Sequence, residues 1–259
     1  MINICIPMAG EGKRFKEFGY KEPKPFIPIN GKPMIEWVIR NLKPINEEVK
    51  FTFIVQKEHL QEYNFELLVR GIGLLDFDVV MLDHMTGGAA ETVLTAKEYI
   101  DNDDPLLIAN SDQLMLWDSD MFIQTIKATG ADGAIPTFSC NASNCSYVKM
   151  NYIGYADCTK EKEVISENAT IGLYYFNKGS DYVYAAEDMI NKNIRTNGES
   201  YVCPVYNQLI YPKGYKVIIY PLSAQAVYQI GTPELLQDFR NELKENEHLQ
   251  EYFFGEKLK

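Results

Sequence analysis

Residues 6–25 read IPMAGEGKRFKEFGYKEPKP and are unusually rich in basic residues for an acidic chain. The stretch leaves an apolar run through small residues and then carries five lysines and arginines between residues 11 and 24. Three glutamates lie among them, so the loop is locally basic although the net charge of the chain is -11. Glycines let backbone N–H groups approach an anion, and Arg14 and Lys24 can then clamp a triphosphate from two sides. The alternative is a mobile, solvated loop.

Two known phosphate-binding patterns do not explain this loop. The dinucleotide pattern G-x-G-x-x-G requires a third glycine where Phe15 stands, and Pro23 and Pro25 prevent a prompt helix. The nucleoside triphosphatase pattern G-x-x-x-x-G-K-[ST] also fails, because the Gly-Lys pair at 31–32 is followed by proline. What remains is a long irregular loop that can bind an anion.

The composition narrows the class of protein. With 259 residues, 46% hydrophobic and 24% charged, we expect one large soluble domain. No apolar run approaches the roughly 18 to 20 residues of a membrane span, and the apolar start lacks the basic flank of a signal peptide. We therefore expect a cytoplasmic protein without a membrane partner. The acidic net charge argues against a nucleic-acid partner, and five cysteines without a C-x-x-C pair predict reduced thiols.

Short apolar runs alternate with helical stretches in the first half of the chain. The predicted strands are NICIPM, FTFIVQ, FDVVML and PLLIAN, and the predicted helices lie at 33–42, 59–69, 89–100 and 118–129. Such alternation is typical of an α/β fold with a doubly wound, mainly parallel mixed sheet. We expect the functional site at the carboxyl ends of its strands.

After residue 130 the pattern is less regular. The predicted strands are GAIPTFS, SYVKM, ATIGLYYF, KVIIY and AVYQI, with helices near 180–193 and 200–210. Thr232 is predicted to cap a last helix, with Pro233 at its first position. Because no linker interrupts the chain, we predict a single domain over 1–259, in which the part from 131 onwards is a substrate-binding lobe on the same sheet.

The stretch AGEGKRF, followed by KPFIPINGKPMI, resembles the signature of the sugar-phosphate nucleotidylyltransferases. The resemblance continues through TGGAAETVLTA, LLIANSDQ, the pair Glu161-Lys162, ATIGLYYF and IGTPELL, and so spans nearly the whole chain. It implies a Rossmann-like fold of the glycosyltransferase-A or nucleotidyltransferase type. It also implies that residues up to 130 bind a nucleoside triphosphate, that the rest bind a sugar 1-phosphate or similar acceptor, and that their reaction releases pyrophosphate.

The same resemblance implies roles for individual residues. Arg14 and the backbone at 10–12 hold the β- and γ-phosphates, Lys24 bridges to the reacting phosphate, and Lys162 holds the sugar phosphate. The residues implied to bind the nucleotide are Ala9, Gly10, Gly12, Lys13, Gly87, Gly88, Ala89 and Ser111. Those implied to bind the acceptor are Glu161, Gly172 and Glu199. The plainer alternatives are a tight turn at 87–89 and glutamates that are merely exposed.

The implied reaction brings two polyanions together, so repulsion is its chief obstacle. Two unit charges about 4 Å apart cost about 4 kcal/mol at an effective dielectric constant near 20, so several cations must converge on the site. Arg14, Lys24 and Lys162 are the candidates. No residue needs to form a covalent bond, because the acceptor phosphate is already an ionised nucleophile.

Asp112 ends the run LLIANSD, where the carboxyl edge of a buried strand is expected. Mg²⁺ prefers oxygen ligands and usually takes one or two carboxylates plus substrate phosphates, so we expect Mg²⁺ at Asp112, with a turn aspartate as the alternative. Many relatives have an aspartate two residues before the final Gly-Thr, where this chain has Gln229. Either the metal is held more weakly there, or another carboxylate substitutes, or the chain is a non-catalytic regulatory relative.

A glycosyltransferase of the same fold is a further hypothesis, because the D-x-D motif at 118–120 matches the pattern that holds the metal of a nucleotide-sugar donor. These residues open a predicted helix, so an N-cap followed by an acid in the first turn explains them more simply. The nucleobase, the acceptor and the formation of a homo-oligomer stay open, and phosphocholine is one non-sugar acceptor to consider. Compact relatives often supply bacterial surface polysaccharides, which is again an expectation from the resemblance.

Overall fold

The computed structural model describes residues 1–255, except for the side chain of Gln61. Its strands are β1 (Ile2–Pro7), β2 (Pro28–Ile29), β3 (Lys32–Pro33), β4 (Val49–Gln56), β5 (Phe77–Leu82), β6 (Leu106–Ala109), β7 (Gln113–Met115), β8 (Gly133–Ser139), β9 (Ser146–Met150), β10 (Ala156–Glu161), β11 (Asn168–Thr170), β12 (Leu173–Phe176), β13 (Val217–Leu222) and β14 (Val227–Gln229).

The helices lie mostly between these strands. They are α1 (Lys13–Glu17), α2 (Met34–Leu42), α3 (Lys57–Tyr63), α4 (Phe65–Gly71), α5 (Ala89–Leu94), α6 (Lys97–Ile100), α7 (Ser119–Thr129), α8 (Gly179–Asn191), α9 (Asn207–Lys213), α10 (Pro233–Glu245) and α11 (Glu247–Phe254). Short 3-10 turns occur at Lys24–Phe26, Cys203–Tyr206 and Ala224–Ala226. None of the helices within residues 1–255 combines the length and the apolar character that a membrane crossing requires.

The first half of the chain builds a parallel sheet around β1. Strands β4 and β6 flank β1 in parallel, and β5 continues the sheet beyond β4. The chain first adds strands on one side of β1 and then passes to the other side with β6, so the direction of winding reverses between β1 and β6. A ligand crevice forms at such a reversal, and the loops that follow these two strands open into it.

Beyond β6 the sheet continues in mixed orientation. Strand β12 runs antiparallel to β6 and β8, and β11, β9 and β10 extend the sheet further with antiparallel pairs. Strand β13 adds to β8 in parallel. The result is one mixed sheet of ten strands, which confirms the predicted α/β architecture. The pairs β7–β14 and β2–β3 lie outside this sheet.

Side chains alternate between two hydrophobic layers along each central strand. Ile4 and Ile6 of β1 belong to one layer, together with apolar residues of α2, α7 and α10. Cys5, between them, belongs to the other layer, together with residues of α5, α8 and α9. This alternation with a period of two places helices on both faces of the sheet, as a doubly wound fold requires.

The differences from the sequence-based expectations have local causes. The helix predicted at 59–69 is two helices, because Asn64 between α3 and α4 adopts a left-handed conformation with φ 45°. The strand predicted as ATIGLYYF is divided into β11 and β12 at Gly172, whose φ is 93°. The helix predicted at 89–100 is interrupted between α5 and α6, and the one near 200–210 begins later, with a 3-10 turn that leads into α9. The expectation that no helix follows the glycines promptly was wrong, because α1 begins directly after Gly12 and ends before Pro23. The other elements that were not predicted are β2, β3, β7, β10 and α11.

Candidate active site

The loop after β1 is anchored at both ends and open in its middle. At its start, the Gln56 side-chain amide donates a hydrogen bond to the Ala9 carbonyl at 2.7 Å. At its end, Phe15 of α1 is buried in the core. Gly12, between them, has φ 62°, a left-handed conformation that glycine adopts without strain. Residues 10–14 therefore line a cavity while both ends of the loop stay fixed.

Lys24 belongs to the 3-10 turn that follows α1. Phe26 in the same turn stacks on Tyr63, with ring centroids 4.4 Å apart, and so fixes the turn to α3. The Lys24 ammonium donates to Asp112 Oδ2 at 2.8 Å. Both side chains are partly buried, with 25% and 19% of their surfaces exposed. This ion pair joins the loop after β1 to the loop after β6.

Asp112 is held from the other side by the segment that follows β14. The Ile230 N–H donates to the Asp112 carbonyl at 2.9 Å. A Cβ at Gly231 would lie 2.5 Å from Asp112 Oδ2, which is closer than real Cβ contacts allow. A side chain at position 231 would therefore displace the Asp112 carboxylate from its place beside Lys24.

Two cavities meet at Asp112. The first, called here the glycine-loop cavity, has a volume of about 520 Å³ and is lined by the loop after β1, by Lys24 and by the turn before α5. The second, called the Glu161 cavity, has a volume of about 230 Å³ and is lined by residues of β7, β9, β10 and β14. The residues that line both cavities are Arg14, Ala89, Asn110, Asp112 and Gly231. Ligands bound in the two cavities can therefore contact the same guanidinium, that of Arg14, and the same carboxylate, that of Asp112.

The turn before α5 is braced by the loop between α8 and α9. The Ser200 N–H donates to the Gly87 carbonyl at 2.9 Å. Arg195 pairs with Glu91 at 2.7 Å, and Glu91 accepts the Gly87 N–H at 2.9 Å. A Cβ at Gly88 would lie 2.4 Å from backbone atoms of Ser200, so glycine is required for this contact. The turn is thus held in one shape where it faces the glycine-loop cavity.

Glu161 is a buried carboxylate at the end of β10. It accepts a hydrogen bond from the Ser146 hydroxyl on the neighbouring strand β9. Burial raises the pKa of Glu161, and the hydrogen bond from Ser146 and the positive charge of Lys162 oppose that rise. Such a group can accept hydrogen bonds from the hydroxyl groups of a ligand in its cavity.

Lys162 follows Glu161 in a left-handed conformation, with φ 57°. Its N–H donates to the Cys145 carbonyl at 2.9 Å. Its ammonium donates to the Tyr201 hydroxyl, and that hydroxyl donates to Glu199 Oε2 at 2.6 Å. Tyr201 lines the Glu161 cavity and Glu199 lines the glycine-loop cavity, so this chain of hydrogen bonds runs between the two.

Most of the predicted site residues line these cavities. Those at the glycine-loop cavity are Ala9, Gly10, Gly12, Lys13, Arg14, Lys24, Gly88, Ala89, Asp112 and Glu199. Those at the Glu161 cavity are Arg14, Ala89, Asp112, Glu161 and Gln229. The predicted residues that line neither cavity, within residues 1–255, are Gly87, Ser111, Lys162 and Gly172. Ser111 is buried, with 3% of its surface exposed. A Cβ at Gly172 would lie 2.3 Å from Gln113 Oε1, so packing accounts for this glycine.

Sequence reasoning missed Asn110, Arg195, Ser200 and Tyr201. Asn110 lines both cavities and stands two residues before Asp112, so its place at the same strand end was a usable signal. The other three act on partners far away in the chain, as the separation of 113 residues between Gly87 and Ser200 shows. No local spacing pattern reports a contact over such a separation.

The oxygen atoms near Asp112 suit a metal ion that takes its remaining ligands from substrate phosphates and water. Residues 1–255 hold no group of three or more His, Cys, Asp or Glu side chains that could bind a metal. Asn110 and Gln229 share the Glu161 cavity with Asp112 and offer neutral amide oxygens. One carboxylate with neutral oxygens fits a Mg²⁺ ion whose remaining ligands are substrate phosphates and water.

The D-x-D motif at 118–120 has a structural role. Asp118 caps α7 by accepting the Met121 N–H at 3.0 Å, as the sequence predicted. Asp120 is buried and accepts two backbone N–H groups of the segment 45–46, each at 2.8 Å. Both carboxylates are used for these contacts and lie outside the two cavities, so the motif gives no support to a donor-sugar metal site.

Residues 4–163 match the profile of the MobA-like NTP transferase domain. The chain belongs to this family. MobA-like NTP transferases are nucleotidyltransferases, so the match confirms the family predicted from the glycine loop and its downstream motifs. The region matched contains the loop after β1, Lys24, Asp112 and the Glu161-Lys162 pair.

Curated relatives of this MobA-like NTP transferase include bifunctional GlmU proteins. The protein from Methanocaldococcus jannaschii is 28% identical over 128 residues, which are 48% of this chain and 28% of that protein. The protein from Methanococcus maripaludis is 26% identical over 177 residues, which are 67% of this chain and 39% of that protein. The chain thus corresponds to well under half the length of these relatives.

Solved structures similar to this MobA-like NTP transferase cover nearly all of the chain. A nucleoside-diphosphate-sugar pyrophosphorylase from Vibrio cholerae is 27% identical, with a TM-score of 0.78 over 92% of this chain and 99% of that one. A UDP-glucose pyrophosphorylase complexed with UDP-glucose is 17% identical, with a TM-score of 0.78 over 95% of this chain and 99% of that one. The second likeness shows the fold, which agrees with the predicted Rossmann-like type.

Proposed function

We propose that this chain is a Mg²⁺-dependent nucleotidylyltransferase that joins a nucleoside triphosphate to a sugar 1-phosphate, or to a similar phosphorylated acceptor, and releases pyrophosphate. The observation that carries the proposal is the junction of two cavities at Arg14 and Asp112. Two phosphorylated ligands bound side by side would bring their phosphates to that junction. The name of the Vibrio cholerae neighbour, a nucleoside-diphosphate-sugar pyrophosphorylase, supports the same reaction class.

In this proposal the nucleoside triphosphate occupies the glycine-loop cavity. The open backbone at 10–12 and the guanidinium of Arg14 would hold the β- and γ-phosphates, because both present N–H donors to an anion. Lys24 would leave Asp112 and move to the phosphates. The braced turn with Gly88 and Ala89 would lie against the base, since small residues let a flat ring approach the backbone.

The phosphorylated acceptor would occupy the Glu161 cavity. Glu161 and the hydroxyl and amide groups around it suit a ligand that is rich in hydroxyl groups, as sugars are. Lys162 would neutralise the acceptor phosphate. Arg14 and Asp112 line both cavities. The predicted division of the chain near residue 130 into a nucleotide-binding and an acceptor-binding part would therefore be only approximate.

The reaction itself needs alignment and charge neutralisation. An oxygen of the acceptor phosphate forms a bond to the α-phosphorus, while the bond from that phosphorus to the α,β-bridging oxygen breaks. Pyrophosphate leaves with the bonding electron pair, and no proton has to be removed from the ionised acceptor. Arg14, Lys24 and Lys162 would hold the two anions together during attack.

Asp112 is the residue that would hold Mg²⁺, with help from the amide oxygens of Asn110 and Gln229. The ion would supply positive charge between the phosphate oxygens. Because Asp112 already pairs with Lys24, arrival of the triphosphate would draw Lys24 away and free the carboxylate for the ion. We also propose that the reaction takes place in the cytoplasm, where nucleoside triphosphates are available. Its nucleotide-sugar product would suit the synthesis of polysaccharides.

The experiment is a grid of the five common nucleoside triphosphates against a panel of phosphorylated acceptors that includes sugar 1-phosphates and phosphocholine. Pyrophosphate release in the presence of Mg²⁺ is the readout. We expect release with at least one pair and none when either substrate is left out. Nucleotide binding without release across the whole grid would contradict the proposal and favour a regulatory protein.

Replacing Gln229 by aspartate is expected to lower the Mg²⁺ concentration for half-maximal activity several-fold, because a carboxylate attracts a divalent ion better than an amide does. The position is close to Asp112, since the next residue, Ile230, donates to the Asp112 carbonyl. The measurement is a Mg²⁺ titration at fixed triphosphate. Gln237→Asp is the matched control, because it adds the same charge at an exposed position on α10. Equal midpoints for Gln229→Asp and wild type would show that residue 229 lies outside the metal shell.

A further inference from the structure

Tyr201 lines the Glu161 cavity and contacts two charged side chains, those of Lys162 and Glu199. Its hydroxyl donates to Glu199 Oε2 at 2.6 Å and accepts a hydrogen bond from the Lys162 ammonium. The ammonium also lies 4.5 Å from the centroid of the Tyr201 ring. Tyr201 therefore offers Lys162 both an oxygen lone pair and the negative face of an aromatic ring.

These contacts matter because a lysine side chain cannot position its own charge. The ammonium is carried on a flexible four-carbon stem, so its place is set by what it touches. The Tyr201 hydroxyl proton is already used for Glu199, and this leaves the oxygen lone pairs directed to Lys162. Burial and the hydrogen bond to Glu199 both raise the pKa of Tyr201, so the phenol stays neutral.

The same arrangement separates two opposite charges. Without the hydroxyl, the Lys162 ammonium would be free to pair directly with Glu199, which lines the glycine-loop cavity. That movement would take the charge away from the Tyr201 hydroxyl, which is beside the Glu161 cavity because Tyr201 lines it. The Tyr201 hydroxyl thus contacts both Lys162 and Glu199 and keeps these two charged groups from pairing with each other.

We infer that Tyr201 is a positioning residue, which holds the Lys162 ammonium beside the Glu161 cavity so that it can receive the acceptor phosphate. This inference rests on the proposed function. It assigns to Tyr201 a specific effect on the acceptor, because Tyr201 contacts Lys162 and itself lines the Glu161 cavity. Its hydroxyl acts through Lys162 and takes no part in bond formation.

The test is Tyr201→Phe, which keeps the ring and removes the hydroxyl. We expect the acceptor KM to rise about tenfold, as loss of a hydrogen bond to a charged group implies, while the triphosphate KM stays within about twofold. A merely structural role would change both KM values together. In a Lys162→Met background, Tyr201→Phe should have no further effect on the acceptor KM, because the group through which it acts is gone.

Tyr211→Phe is the matched control. The Tyr211 hydroxyl also donates to a carboxylate at 2.6 Å, that of Asp157, but it lies on an exposed surface away from both cavities. We expect its kinetic constants to equal those of wild type. An unchanged acceptor KM for Tyr201→Phe, or an equal additional loss in the Lys162→Met background, would overturn the inference.

A second readout does not depend on turnover. Nuclear magnetic resonance of lysine ammonium groups should show a Lys162 resonance protected from exchange in the wild type and in Tyr211→Phe, and lost in Tyr201→Phe. If the substrate grid gives no pyrophosphate, the proposed function fails, and this signal still decides whether Tyr201 holds Lys162. A Lys162 signal that is unchanged by Tyr201→Phe would contradict the inference whatever the grid shows.

Discussion

Asp112→Asn is expected to lower turnover about 10²- to 10³-fold, because it removes the carboxylate that would hold the metal where charge develops in the reaction. The amide is nearly the same size, so the loop after β6 and the Ile230 contact to the Asp112 carbonyl should be kept. Binding of the triphosphate without metal should be equal or stronger, since one negative charge is lost beside the phosphates. The measurements are pyrophosphate release and metal-free nucleotide binding.

Two variants separate this role from simple loss of the ion pair to Lys24. Asp103→Asn removes a carboxylate from a surface pair with Lys178 of nearly the same length, 2.9 Å, and should leave turnover unchanged. Adding Lys24→Met to Asp112→Asn should cause a further loss, because Lys24 has its own role at the phosphates in this proposal. Full activity of Asp112→Asn with unchanged Mg²⁺ dependence would remove Asp112 from the reaction.

Arg14→Ala is expected to reduce turnover about 10²-fold or more, since it removes a preorganised positive charge from a site where two polyanions meet. Arg14 lines both cavities, so the loss should affect the triphosphate and the acceptor alike. Arg14→Lys should recover only part of the activity, because an ammonium cannot present two parallel N–H donors to a phosphate. Steady-state kinetics with each substrate varied in turn is the measurement.

Lys16→Ala provides the control for Arg14→Ala. It removes the same charge from the same short helix, α1, and its side chain is exposed outside both cavities. Its turnover should match that of wild type. A loss of less than about threefold for Arg14→Ala would mean that the loop after β1 does not bind phosphates, given what removal of such a charge normally costs.

The sequence was most informative about the parts of the candidate site that lie at the ends of strands. The short apolar runs predicted β1, β4, β5 and β6, and the rule that ligands bind at the carboxyl ends of the strands predicted a site there. The structure brings Lys24 and Asp112 within 2.8 Å across 88 residues of chain, at that edge. The motifs of the family gave the residue identities, which strand patterns alone do not provide.

The parts that the sequence did not indicate depend on contacts between distant loops. Ser200 reaches Gly87, and Tyr201 reaches Lys162, and in neither case does the spacing carry a period or a motif. Gly172 shows a related difficulty, because from the sequence alone a glycine there is explained equally well by a bound ligand or by a neighbouring side chain. Its close approach to Gln113 becomes visible only when β7 and β12 are both in place. Tertiary packing thus decides roles that residue type leaves open.

If the turn before α5 lies against the nucleobase, as proposed above, its brace to Ser200 would also limit how nucleobase preference can change. Any side chain larger than that of glycine at position 88 would collide with the Ser200 backbone, so the two segments fit only as a pair. If residues 84–91 were replaced by those of a relative that accepts another base, Arg195 and Ser200 would face a turn that they do not fit. The loop at 193–202 would have to be transplanted with it. Under the proposed function, preference for a base would thus depend on two segments that are far apart in the chain.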